Sequence, residues 1–228
     1  MTRFIVVTGT DTGVGKTVVT AAIAAALRAA GLDVAAIKPA QTGVESGDPG
    51  DADEIRRLGG AEVHELARVG LALAPETAAR LAGVDLPTVD EHVERIRAIG
   101  HDVVLVEGSG GVLVRLDLDG GTIIDIAERL DAEVVVVTRE TLGTLNHTGL
   151  TVDRLRASGL DPVLVLGSTS PDPTLEARSN HDDLTRLTGC RVVGAVPVDA
   201  GRMHPVEFQA AATTWFKPSF LRTRRSSQ

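Results

Sequence analysis

Six short valine-rich runs constrain this chain more than any other feature. They are FIVV (4–7), VAAI (34–37), VVLV (103–106), VVVV (134–137), VLVL (163–166) and VVGAV (192–196). Each is apolar at odd and even positions alike. A strand with one wet face alternates, so an unbroken run marks a strand buried on both faces. Between the runs the spacing predicts helices over 16–30, 51–58, 75–82, 88–99, 122–130, 144–158 and 179–188, with Asp90 as a candidate cap for the fourth. Such alternation predicts an α/β fold, a mostly parallel, doubly wound sheet with helices on both faces. The length of 228 residues suits a single domain over 1–228, with a segment from about 205 onward of uncertain structure. No internal repeat or linker stands out.

Aromatic residues make up only 2%, so the core must be built from Val, Leu, Ile and Ala. A net charge of −8 argues against nucleic acid as a partner, because that affinity comes from basic groups meeting phosphates. No apolar run approaches the roughly 18–20 residues that cross a bilayer, so no membrane is expected. The first run leads straight into a glycine loop with no cleavable signal pattern, and the cytoplasm is the expected compartment. A lone Cys190 rules out an internal disulfide and a cysteine metal cluster. The basic tail KPSFLRTRRSSQ (217–228) reads as a frayed, solvated terminus.

Ligands of parallel sheets sit outside the C-terminal strand ends. Every chemically suggestive segment of this chain falls at such an end. The loop GTDTGVGKT (9–17) joins the first strand to the first helix. Gly13 and Gly15 let backbone N–H groups turn inward towards an anion, and the helix N-terminus adds positive potential. Lys16 can reach terminal phosphates and the Thr17 hydroxyl can ligate Mg²⁺. This is a P-loop NTPase-like arrangement for a nucleoside triphosphate. Its spelling is unusual: Thr10 stands where the first glycine is expected, and Asp11 lies inside the loop. Asp11 precedes the inward-facing N–H groups and can point outward.

Three other segments join it. VVLVEGSGG (103–111) delivers Glu107 at a strand end, where a carboxylate can hold Mg²⁺ opposite Thr17. AIKPAQTG (36–43) delivers Lys38, which Pro39 restricts to extended geometry. A second lysine near the phosphates can neutralise charge on a transferring phosphoryl group. Thr42 can bind substrate or simply stabilise the turn. Asp51 and Asp53 open the next helix as caps, or one of them faces the metal. LGTLNHTGLT (142–151) offers Asn146 and His147, although a lone histidine does not by itself justify acid–base chemistry.

With these residues collected, the chain resembles the dethiobiotin synthetase family. The matching segments are VTGTDTGVGKT (7–17), IKPAQTG (37–43), the helix start at Asp51, LVEGSGGVLV (105–114) and LGTLNHTGLT (142–151). They anchor about two thirds of the chain. The resemblance also accounts for the Gly-Thr-Asp opening of the loop. It implies that 7,8-diaminopelargonic acid (7,8-diaminononanoate), CO₂ or bicarbonate, ATP and Mg²⁺ yield dethiobiotin, ADP and phosphate. A carbamate and then a carbamic–phosphoric anhydride would lie on the way.

The resemblance also implies a set of site residues. Lys16 and Lys38 would be catalytic, and Thr17, Asp51 and Glu107 would hold the metal. The nucleotide would lie against Thr12, Gly13, Val14, Gly15, Lys16, Thr17 and Val18, with Asp51, Glu107, Gly108 and Gly110 nearby. Gly167, Ser168, Pro197, Val198 and Asp199 would take its base side. The diamine would meet Thr42 and Gly108, and Leu145 and Asn146 would reach substrate bound in the partner of a homodimer. The chain departs from the family pattern at Ser109, at Arg115, and at the charged pair Arg139–Glu140. It also departs at Gly167–Ser168, where many members carry an adenine-reading Asn. Two alternatives accompany this reading. One is a nucleotide-binding paralogue without synthetase activity. The other is a partitioning or division-site ATPase, although those carry a lysine where Asp11 stands and tend to end the metal strand in Asp.

Overall fold

The computed structural model describes residues 1–222. In chain order it runs β1 (Arg3–Gly9), α1 (Lys16–Ala29), β2 (Val34–Lys38), β3 (Gln41–Thr42), α2 (Asp51–Gly59), β4 (Glu62–Glu65) and β5 (Arg68–Val69). It continues through α3 (Pro75–Ala82), α4 (Val89–Arg97), β6 (Val103–Gly111), α5 (Ile123–Leu130), β7 (Glu133–Thr138) and α6 (Thr144–Ala157). Then come β8 (Val163–Thr169), α7 (Leu175–Thr188), β9 (Val192–Pro197), a 3₁₀ turn (Ala200–Arg202), α8 (Pro205–Ala212) and α9 (Pro218–Leu221).

Seven strands form one parallel sheet in the order β4-β2-β6-β1-β7-β8-β9, while β3 and β5 pair separately. All six valine-rich runs are strands of the large sheet, and α/β doubly wound architecture follows. Strand parity sorts their side chains into two cores. Ile5, Val7, Val103, Leu105, Val135, Val137 and Val165 face α1, α2 and α8. Val6, Val104, Val106, Val134, Val136, Leu164 and Leu166 face α4, α5, α6 and α7. Alanines dominate the inner stripe of α1, which lets that helix lie close to the sheet.

Four features differ from the sequence expectations. First, β4 occupies one sheet edge. Its EVHE sequence is polar because an edge strand is half wet, and its charges discourage pairing with another chain. Second, Thr88 rather than Asp90 caps α4, in a reciprocal box with Glu91. Asp90 is exposed and pairs with Arg129 at 2.9 Å. Third, α7 begins at Leu175 behind a Thr174 cap, ahead of the expected 179.

Fourth, the segment after 205 is ordered through residue 222. Helix α8 packs Phe208 into the core, with Trp215 edge-on at 5.2 Å. Phe216 then bridges antiparallel to Gly194, flanked by hydrogen bonds from Ala195 N to Trp215 O and from Lys217 N to Val193 O. This closes the outer edge of β9. Phe220 is buried and accepts Arg3 on its carbonyl at 3.1 Å, so 217–222 is not frayed. Residues 223–228 of the basic tail lie outside the described residues. Among the described residues no helix is long and apolar enough to cross a membrane.

Candidate active site

β1 lies between β6 and β7, and the chain winds away from it in both directions. The crevice at this switch point opens beside the C-terminal ends of β2, β6 and β1. The glycine loop crosses it. Gly13 and Gly15 both adopt left-handed backbone, with φ of 70° and 97°, which a side chain would strain. Asp11 is exposed, and its carboxylate accepts the Thr12 N–H at 2.7 Å. It turns back on the loop and stays out of the cleft lining. Lys16 is buried and donates to the Asp11 carbonyl at 2.9 Å.

The loop is buttressed from behind by the end of β8. A Cβ on Gly15 would come within 2.7 Å of the Gly167 carbonyl, and one on Gly167 would collide with the Val14 carbonyl. Arg139 donates to the Thr12 carbonyl at 2.9 Å from the other flank. Its neighbour Glu140 points elsewhere, accepting the Ser170 N–H at 2.9 Å and facing His181 at 3.3 Å.

The charged centre is built by two adjacent strand ends and a helix start. β2 and β6 pair with Ile37 opposite Val106, so Lys38 and Glu107 leave the sheet side by side. The Lys38 ammonium lies 2.8 Å from Glu107 Oε1 and 2.7 Å from Asp51 Oδ2. The Thr17 hydroxyl donates to the same Glu107 oxygen at 2.9 Å. Lys38 and Glu107 are both nearly inaccessible. Burial pulls the Lys38 pKa down, but Glu107 and Asp51 together outweigh it and hold the ammonium above its usual value. Lys16 goes the other way: burial lowers it, Lys38 adds to that, and Glu107 only partly compensates. Asp53, at the third helical position, bonds back to the Gly50 N–H at 3.0 Å, while Asp51 faces the cleft.

The cleft has a volume of about 790 Å³, within the usual range for small-molecule sites. Thr12, Gly13, Gly15, Lys16, Thr17 and Val18 form its floor. Lys38, Asp51, Glu107 and Gly110 form the charged wall. Thr42, Gly43, Leu73, Pro75 and Val114 form the less polar one. Val14 is buried beneath the floor, and the Gly108 carbonyl stands 3.4 Å from Lys38 Nζ. Gly167, Ser168, Pro197, Val198 and Asp199 lie along a separate flank, where the Val198 N–H binds the Thr169 carbonyl at 2.9 Å. Ser168, Val198 and Asp199 are exposed there.

Leu145 and Asn146 are in the first turn of α6, outside this cleft, and Asn146 is exposed. Two lining residues with polar side chains carry no site role in the sequence reading. Gln41 sits between Lys38 and Thr42, and the Ser109 hydroxyl ties the two strand ends by donating to the Ala40 carbonyl at 2.9 Å. Both lie inside the quoted motifs, so position was a signal, but their partners are remote in sequence.

A bound magnesium ion can be tested against these side chains. Glu107 Oε2 is buried without a hydrogen-bond partner, an orphaned acceptor that a cation would satisfy. Asp51 and the Thr17 hydroxyl add two more oxygen donors beside it. Among the described residues no group of three or more His, Cys, Asp or Glu side chains forms a closed metal cage. An open, oxygen-only set with few carboxylates suits Mg²⁺, which keeps several waters and shares substrate phosphates.

Comparison with known proteins gives a consistent picture. A family model described as an AAA domain matches residues 3–205. An ATP-dependent dethiobiotin synthetase from Rhodococcus jostii is 54% identical over 96% of each chain. One from Streptomyces coelicolor is 51% identical over 94% of this chain and 92% of its own. Among solved structures, the septum site-determining protein MinD from Pyrococcus horikoshii, complexed with Mg-ADP, superposes with a TM-score of 0.59 at 18% identity, covering 94% of this chain and 90% of its own. A ParA family ATPase from Chlorobium tepidum gives 0.58 at 14%, covering 93% and 91%. At such identities these two likenesses show the fold alone.

Proposed function

The chain belongs to the dethiobiotin synthetase family, and from that premise we propose that it closes the cyclic urea of dethiobiotin from 7,8-diaminononanoate, CO₂ and ATP with Mg²⁺. The observation that carries this reading is the Lys38 ammonium held between Glu107 and Asp51 beside the glycine loop. Loops of this kind bind triphosphates for many purposes. A second, charge-locked lysine at the same point suits an acceptor that is itself an anion.

In the proposed sequence one amine of the diamine adds to CO₂ and loses a proton, giving a carbamate. The carbamate oxygen takes the γ-phosphoryl group from ATP, and ADP leaves. The second amine attacks the carbonyl of the mixed anhydride, phosphate departs, and the ring closes. No covalent bond to the protein is needed, so the residues work by positioning and by charge. Lys38, kept protonated by its two carboxylates, offers positive charge to the carbamate and to the transferring group. Lys16 does the same for the β- and γ-phosphates. Magnesium, when bound, supplies Lewis-acid neutralisation of the phosphate oxygens. Thr17, Asp51 and Glu107 are the residues that would hold it.

Thr42 and the Gly108 backbone would meet the diamine end. Leu145 and Asn146 stand outside their own cleft with Asn146 in solvent, which suits contact with substrate in the partner of a two-fold dimer. The flank of Gly167, Ser168, Pro197, Val198 and Asp199 would face the base. A single rotatable serine hydroxyl there lacks the separate, fixed donor and acceptor that a planar amide sets against a base edge, so several nucleoside triphosphates should serve. The cytoplasm is the proposed compartment.

The test is a titration of diamine, bicarbonate and different nucleoside triphosphates, with dethiobiotin followed by mass spectrometry and phosphate release in parallel. Phosphate should appear appreciably only when diamine and bicarbonate are both present. Equal release without diamine would count against the synthetase reading and favour a nucleotide switch.

A further inference from the structure

Gln41 has none of the roles assigned above, yet it is only 5% exposed and lines the cleft between Lys38 and Thr42. Its side-chain carbonyl accepts the backbone N–H of Asp51 at 2.9 Å, and its amide donates to the Thr42 carbonyl at 3.0 Å. One partner is a donor and the other an acceptor, so only this orientation of the amide satisfies both. The Gln41 backbone is itself fixed, donating to the Ala67 carbonyl at 2.9 Å.

The need for such a bond is local. The residue preceding α2 is Gly50, which has no side chain to cap the first turn. Gln41 fills that role from a distance of ten residues, and it does so at the residue that faces the cleft. A Cβ on Gly50 would come within 3.0 Å of Gln41 Oε1, so the glycine leaves room for the amide. Arg68 holds the preceding loop through the Glu45 and Asp48 carbonyls at 2.9 and 2.7 Å. Arg68 does not reach residue 51. The Asp51 carboxylate is partly exposed and meets Lys38, so its placement depends on the backbone beneath it.

We propose that Gln41 is a positioning residue that fixes the first turn of α2 so that the Asp51 carboxylate stays aimed at Lys38 and at a divalent cation. This rests on the proposed metal role of Asp51. Supporting partners of metal-holding carboxylates typically change affinity by about tenfold or more when removed.

The test uses the full chain and Mn²⁺ alone as probe, with binding read from loss of the free-ion paramagnetic resonance signal. Gln41→Leu should weaken Mn²⁺ binding about tenfold, while Gln41→Glu, which keeps the acceptor, should bind at least as tightly as the parent. In an Asp51→Asn background, Gln41→Leu should add no further loss. A full additional loss there, or unchanged binding in Gln41→Leu alone, would overturn the proposal while leaving the metal reading intact. Unchanged binding in Asp51→Asn alone would instead remove the metal role of Asp51, and the proposal with it. If Gln41→Leu does not fold, Gln41→Asn, one methylene short of the Asp51 amide, carries the same comparison.

Discussion

His92 makes a quantitative prediction about acid stability. It sits on the buried side of α4, is 0% exposed, and has no hydrogen-bond partner on either ring nitrogen. Burial first, and then Arg95 on the same helix, push its pKa from 6.5 down to about 4, against weaker pulls from Asp117 and Glu91. In the unfolded chain the ring titrates normally. Between these two values the unfolded state takes up a proton that the folded state refuses. Stability is therefore complete above the unfolded pKa and falls as pH drops towards the folded one. Integrated from about pH 7.5 to about pH 5, the loss is about 2 kcal/mol, and it reaches about 3 kcal/mol near pH 4.

Replacing His92 by Leu removes the titrating group and leaves no orphaned polar atom behind. Urea unfolding of both proteins across this range isolates the effect, because the carboxylates titrate alike in each. The parent should lose about 2 kcal/mol more than His92→Leu between about pH 7.5 and about pH 5. Parallel stability profiles for the two proteins would refute the reasoning, and would mean that the ring titrates in the fold as it does in the unfolded chain.

Two substitutions probe the cleft. Lys38→Ala should lower turnover far more than it weakens nucleotide binding, measured by steady-state product formation beside calorimetric titration of nucleotide; an unchanged rate would take this lysine out of the mechanism. Gly167→Ala would drive a methyl group into the Val14 carbonyl. It should destabilise the protein by about 1–3 kcal/mol and weaken nucleotide binding with it, which thermal melts with and without nucleotide would read.

What the sequence made legible follows from how strongly each signal depends on local pattern. Strands buried on both faces are written as unbroken apolar runs, and all six were read. β4 was not, because an edge strand with Glu62, His64 and Glu65 resembles a loop until its neighbour is known. Thr88 and Asp90 are both plausible caps in isolation, and the choice is made by the reciprocal bond with Glu91. The glycine loop, Lys38 and Glu107 were legible as strand-end residues. Pattern alone left Asp51 and Asp53 open, since the choice depends on how α2 is rotated; the family resemblance pointed to Asp51, and Asp51 is the one that lines the cleft. The links of Gln41 to Asp51, Ser109 to Ala40 and Arg139 to Thr12 span 10, 69 and 127 positions. No periodicity encodes contacts of that kind.

The stitch of Phe216 onto Gly194 has a consequence for how the polypeptide is made and shortened. The flank of β9 is sealed by residues that emerge from synthesis well after every strand of the sheet. Until they arrive, a ready template for another chain's backbone stays open to the surroundings. A version halted just after Ala212 would keep every residue that lines the cleft, yet it would be prone to stick to its own copies before it had the chance to work.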